Sequence, residues 1–330
     1  MTTVSWRGVL DEYAEPRLGR SLVDLGTSVV PYLALLAAMV FASRVSVVLV
    51  LALAVPAAGF LIRTFIVFHD CAHGSFLPSR RANAALGAAL GILVWLPFAG
   101  WRHEHAVHHA TSGDLDRRGV GDIRTLTVAE YRAGSRWSRL AYRLFRNPFV
   151  MFGLGWLLVL IVKPRFVPRG SRRRIRNSVL ATNVVLALLV SGLCLTLGWR
   201  TFLLVQTPVL AVAGAAGIWL FYVQHQFEGT YWQTNSAWRY DDAALQGSSY
   251  LKLPRLLQFF TGNIGFHHVH HLSARIPNYN LQAAHADTER LQAVPQLSLL
   301  EGLRATRLKL WDERHRRLVT FRQANAAEPF

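Results

Sequence analysis

Four long apolar runs decide what this chain can fold into: Leu25 to Phe41, Val45 to Phe68, Val179 to Leu197, and Thr201 to about Val223. Each reaches or approaches the roughly 20 residues that a helix needs to cross a bilayer core of about 30 Å. Within hydrocarbon the backbone must satisfy its own hydrogen bonds, which a helix does. Ser43 and Arg44 alone part the first two runs and Gly198 to Arg200 the last two, so each pair predicts a tight helical hairpin. Composition agrees, because 52% hydrophobic and only 17% charged residues is too apolar for an ordinary soluble chain of 330 residues.

The charges that remain are lopsided. Thirty-six bases oppose 19 acids for a net charge of +17, almost all of it arginine. Nucleic acid is excluded as the partner by the apolar runs, which DNA-binding domains lack. Arg7, Arg17, Arg20, the loop from Arg80 to Arg146 and the cluster from Lys163 to Arg176 lie outside the hairpins, whereas the hairpin turns hold only Arg44 and Arg200. The positive-inside rule therefore puts both termini and the middle loop in the cytoplasm. Arg63, inside the second run, is expected to snorkel to the headgroups. With only Cys71 and Cys194, no disulfide framework is possible, which suits a reducing compartment.

Two further apolar stretches, Ala84 to Phe98 and Pro148 to Val162, are short and broken by glycine or proline, so both read as interfacial or re-entrant. The tail after Leu303 reads as a polar amphipathic helix. The expected fold is an all-α integral membrane protein with four transmembrane helices in two hairpins and a helical cytosolic cap. It forms one domain over 1–330: a cytosolic segment 1–24, hairpin 25–68, a cytosolic and interfacial region 69–177, hairpin 178–224, and a cytosolic region 225–330.

Thirteen histidines occur, and most are clustered. His69 and His73, in HDCAH, stand at i and i+4 just past the second run, on one helical face. His105, His108 and His109 in HEHAVHH, and His267, His270 and His271 in HHVHH, stand at i, i+3 and i+4, each triplet expected on one face. His103 and His268 are rotated off those faces, and His285 and His315 belong to no pattern and read as surface residues. His225, at the end of the fourth run, joins the candidates. Eight clustered imidazoles, nine with His225, exceed what one metal takes, so two metals are implied. Imidazole suits iron, copper, zinc and nickel alike, and spacing does not choose among them. Asp70 and Glu104 are candidates to accept the second ring N–H of a ligand and fix its tautomer.

HDCAH, HAVHH and HHVHH resemble the three histidine boxes of the membrane fatty acid desaturase family. The text around them, WRHEHAVHHATSGDLDRRG from Trp101, YVQHQFEGTYW from Tyr222 and GNIGFHHVHHLSARIPNYN from Gly262, is similar to bacterial acyl-lipid desaturases. The resemblance spans about His69 to Leu281. It implies a non-haem centre of two iron ions held by His69, His73, His105, His108, His109, His267, His270 and His271, with His225 as the ninth. It also implies dioxygen as co-substrate, a membrane-lipid acyl chain as substrate, and a bacterial plasma membrane as location. Asn263, four residues before His267 and so on its face, is a candidate to reach the metals through water. No His-Pro-Gly-Gly haem motif occurs, so the electrons are expected from a separate donor, a ferredoxin with its reductase. The third box opens on His267 instead of Gln, which argues against front-end regiochemistry, and the similarity to the acyl-lipid group implies insertion near carbon 12, an omega-6 type of desaturation.

Two rivals stand beside this reading. A hydroxylase or ketolase of the same superfamily, acting on alkanes, carotenoids or sphingoid lipids, would use the same boxes. A membrane metal transporter would instead place its ligands near the midplane of the spans, whereas these histidines lie at or beyond the ends.

Overall fold

Each apolar run is a helix that extends beyond its apolar text at the polar end. Helix α1 (Leu18–Ala42) turns through Ser43 to Ser46 into α2 (Val47–His73), and the Ser46 side chain caps the new helix by accepting from the Leu49 N–H at 3.4 Å. Because α2 runs on past Phe68, His69 and His73 ride on the end of a membrane helix. Gly74 ends it in the left-handed conformation at φ 74°. The computed structural model describes residues 6–326.

Helices α3 (Arg80–Leu93) and α4 (Phe98–Thr111) follow, bent 104° from one another, and then α5 (Arg136–Phe145), which is bent 62° from the helical stretch Phe149–Arg165. The second hairpin is α6 (Arg173–Leu197) and α7 (Trp199–His225), joined at Gly198. Among the described residues four helices are thus long and apolar enough to span a membrane, and the two shorter stretches are bent elements, as their glycines and prolines suggest. Residues 149–162 run as wide π-helical turns beside α7. The approach is close enough that a Cβ on Gly214 would fall 2.5 Å from that of Trp156. Among the short helices of the cap, α8 (His267–Leu272) carries the third histidine group.

Tyr32, Met39, Val50, Leu61, Phe68, Val205 and Val209 form a core between the hairpins. A second cluster, with Ile66, Ile264, Phe266, Val269, Leu272 and Ile276, seats α8 beside α2. Outward residues such as Val48 and Leu195 are 76% and 87% exposed, the apolar belt expected of helices that face lipid.

Two expectations are corrected here. The tail is not one helix: among the five short strands of the described residues, β1 (Leu126–Thr127), β2 (Tyr250–Lys252), β3 (Gln296–Ser298), β4 (Leu310–Asp312) and β5 (Arg317–Val319), the last two come from it. β4 lies between β1, parallel, and β5, antiparallel, with Leu310 opposite both Leu126 and Val319, while β2 pairs parallel with β3. Leu310, Trp311, Leu318 and Val319 are all buried, and burial of those four side chains favours a strand pair over a polar helix. Arg63, expected to snorkel, is instead satisfied within the protein. Its guanidinium pairs with Asp24 of α1 and donates to the Phe259 carbonyl, which lies beside it. A cation in an apolar span is retained when a carboxylate and a carbonyl replace its water.

Candidate metal centre

The fold gathers nine histidines into two adjoining pockets. His69 and His73 from α2, His105 and His109 from α4 and His270 from α8 form one; His108 from α4, His225 from α7, and His267 and His271 from α8 form the other. In each, the candidate donor atoms lie within 4.8 Å of one another. The two triplets therefore do not each serve one face. Positions i+3 and i+4 point about 100° apart around a helix, and α4 and α8 lie between the pockets, so that step sends His108 one way and His109 the other.

Nitrogen spacing fits metal chelation. His105 and His109 Nε2 are 3.1 Å apart, His109 and His270 Nε2 3.0 Å, His225 and His267 Nε2 2.9 Å, and His108 and His225 Nε2 3.2 Å. Two nitrogens about 2.1 Å from one ion at a right angle would be about 3.0 Å apart. The pockets touch where the His109 and His271 rings stack at 4.1 Å. Burial, followed by neighbouring imidazoles, holds His105, His109, His267, His270 and His271 well below the usual imidazole range, so these rings are neutral and keep a lone pair for a metal. The Nε2 atoms of His73 and His271 are buried without a hydrogen-bond partner, a deficit that an ion in each pocket would relieve. The donor set thus fits borderline transition metals.

Acceptors behind the rings orient them. His69 Nδ1 lies 3.1 Å from Asp70 Oδ1, and His225 Nδ1 lies 3.1 Å from the Gly247 carbonyl. His108 Nδ1 bonds Asp122, a residue that sequence reading missed. Gly121 makes that contact possible, since at φ +74° it lets the loop pass so near α4 that a Cβ would fall 2.7 Å from the Glu104 carbonyl. Asp70 Oδ2 in turn accepts from the Asn278 backbone N–H at 2.7 Å and from its Nδ2 at 3.0 Å, and the same Nδ2 reaches Asp24 Oδ2 at 2.9 Å. A line of polar contacts therefore joins the Asp24 and Arg63 pair to His69.

Other candidates fall elsewhere. Glu104 accepts from Lys163 Nζ at 2.7 Å and meets no imidazole among the described residues. Asn263 is not on the helix of His267, because α8 begins only at that histidine; it sits at φ 57° in the preceding turn, bonded to Gln258 and to the Asn278 carbonyl. His103 is exposed as expected, but His268 is fully buried and bonds the half-buried His285 at 3.1 Å, so the expectation that His285 is a surface residue is corrected. His315 is exposed beside Asp312.

Arg146, the largest fully buried side chain, was also missed. It donates to the Arg124 and Leu308 carbonyls and to Thr125, Tyr222 and Gln226 at 2.9 to 3.2 Å, tying the cap to the end of α7 next to His225.

Four membrane helices whose ends, with a small cap, enclose two all-histidine pockets define a membrane metalloenzyme scaffold. The family profile described as fatty acid desaturase matches residues 44–298. The chain is 48% identical over 310 residues to a fatty acid desaturase of Bacillus subtilis, covering 94% of this chain and 88% of the relative. It is 28% identical over 233 residues to the sn-1 oleoyl-lipid 12-desaturase of Synechocystis, covering 67% of this chain and 63% of that one. An omega-6 fatty acid desaturase of spinach chloroplasts is 23% identical over 248 residues, 67% of this chain and 49% of the relative. This chain belongs to the fatty acid desaturase family and is an oxidoreductase.

Proposed function

We propose that the chain, acting as a single domain, inserts a cis double bond into the acyl chain of a membrane lipid, with dioxygen as co-substrate and two iron ions held by the nine histidines. The observation that carries this reading is the pair of adjoining pockets built only of imidazole, five donors in one and four in the other, at the ends of membrane-spanning helices. A methylene C–H yields to no side-chain acid or base, and iron, when bound, supplies the redox chemistry that this bond requires. Overall, two hydrogens leave adjacent carbons, and with dioxygen, two electrons and two protons they give an alkene and two waters.

The protein's own residues hold and enclose. Asp70, Asp122 and the Gly247 carbonyl fix three rings so that Nε2 faces its pocket. Trp101 stacks on His105 at 4.4 Å, and Phe65 and Phe68 pack against Trp101, so the lipid side of the first pocket is lined by rings that exclude water. The Synechocystis relative acts, by its name, on an oleoyl lipid at position 12, and we assign this chain the same lipid-linked class and position. The arginine distribution supports a bacterial plasma-membrane protein with cap and termini in the cytoplasm, where a ferredoxin and its reductase supply the electrons.

Fatty-acid methyl esters from a host with and without the gene, analysed by gas chromatography and mass spectrometry with dimethyl disulfide adducts, test this. New cis monoenes or dienes with a bond at carbon 12 are expected. New hydroxy acids would transfer the chain to the hydroxylases, and an unchanged profile with both pockets loaded would refute acyl chemistry.

A further inference from the structure

The exposed face of α5 is unlike a solvated helix. Trp137, Leu140 and Leu144 form one stripe, 79%, 45% and 53% exposed, and Phe149, at the elbow beyond the helix, is 87% exposed. The stripe continues into Leu154, Leu157 and Leu158, which are also exposed, on the segment that descends along α7 from Tyr222 toward Gly214. That segment runs with a spanning helix, and the 62° bend before it turns α5 toward the membrane plane. Arg136, Arg139 and Arg143 flank the stripe and line an open groove of about 450 Å³ with Tyr131, Leu140 and Asn325. Among the described residues, no carboxylate lines the groove and neither Arg136 nor Arg139 has an ion-pair partner. Arg143 is held in place, with Nε donating to the Tyr131 hydroxyl at 2.5 Å and its guanidinium over the Phe321 ring.

We propose that α5 lies in the membrane interface and that the Arg136, Arg139 and Arg143 groove binds the headgroup phosphate of an anionic phospholipid. Apolar side chains sunk beside a row of cations are the arrangement by which an amphipathic helix rests in an interface. Guanidinium groups match phosphate oxygens in pairs. An acidic protein would satisfy the arginines but would leave Trp137 and Phe149 in water, whereas a bilayer takes both sets at once. The proposal rests on the membrane fold and not on the reaction, so it stands or falls independently of desaturation.

The test uses the full chain in nanodiscs of phosphatidylcholine with or without phosphatidylglycerol. With brominated acyl chains, the difference in emission between the native chain and Trp137→Phe isolates this indole, which should be quenched. An unquenched Trp137 would place α5 in water and overturn the proposal. Native mass spectrometry should show phosphatidylglycerol retained over phosphatidylcholine, and the preference should fall about fivefold per arginine in Arg136→Gln/Arg139→Gln/Arg143→Gln. If the triple variant does not fold, Arg136→Gln/Arg139→Gln carries the test. Changing Arg172, Arg173 and Arg174 to Gln should leave the preference intact; an equal fall there would mean general attraction to an anionic surface and no site. A chain ending at Ala326 should also keep its preference, and a rise on that truncation would make the groove a seat for the chain's own end.

Discussion

Replacing Asn278 with Ala separates the two pockets. The change removes two hydrogen bonds from one Nδ2, to Asp70 at 3.0 Å and to Asp24 at 2.9 Å, and spares the backbone bond to Asp70 at 2.7 Å. Bonds to carboxylates are worth about 1.5 to 3 kcal/mol each, so folding stability should fall by about 3 kcal/mol. Losing the partner behind a metal-bound histidine typically costs about 10- to 100-fold in metal affinity. Because Asp70 keeps one anchor, the lower end is expected, about tenfold, and only in the pocket of His69. The second pocket takes its orientation from Asp122 and the Gly247 carbonyl and should be unaffected. Ferrous iron titrated against a competing chelator should then show one weakened and one native step, and Asp122→Asn should weaken the other step. Equal weakening of both steps by Asn278→Ala, or of neither, would refute the claim that this line of contacts orients His69.

Three further outcomes follow from the geometry. His108→Ala should lose the metal of the second pocket and all turnover; His103→Ala, at an exposed position, should keep both, and His268→Ala should keep both metals while unfolding at lower temperature, since it leaves His285 without its buried partner. Metal analysis with thermal unfolding distinguishes the three variants. Burial, and then Arg146, hold the Lys309 ammonium down at about 7. Its folded value lies below its unfolded one, so the cost of charging it is full below pH 7 and disappears as pH rises through about 10.5. Lys309→Met should therefore stabilise the protein at pH 6 to 7 with a margin that shrinks toward about pH 10, and a constant margin would count against this account. Stopped-flow reduction by a ferredoxin should slow as salt passes about 0.15 M, where screening falls to about 8 Å, and a rate indifferent to salt would exclude docking on the arginine-rich surface.

The spans were readable because the bilayer imposes one length and one chemistry on them. The histidine boxes were readable because ligands grouped on a short helix leave a local spacing. The partition of each triplet was not recognised, although the rotation between i+3 and i+4 contains it, because a single face was assumed where two pockets flank the helix. Asp122, Asn278 and Arg146 left no such mark, for they reach the site from loops and helix ends up to 254 residues from the groups they hold. One signal was overlooked: Asp24 and Arg63 are opposite charges in or beside apolar runs, and charges so placed usually have one another as partner. Glu104 and Asn263 misled for the opposite reason, since nearness in sequence to a ligand says nothing about which way a side chain turns.

Because His270 and His271 are adjacent in the chain yet serve different pockets, the two centres share a ruler one residue long. Any insertion, deletion or unwinding in α8 shifts both at once, and so does any rotation of α4. Neither centre can be moved, enlarged or discarded while the other stays as it is. Variation that tunes where on a lipid chain the chemistry falls must therefore come from the walls around the pair, leaving the spacing between its halves alone.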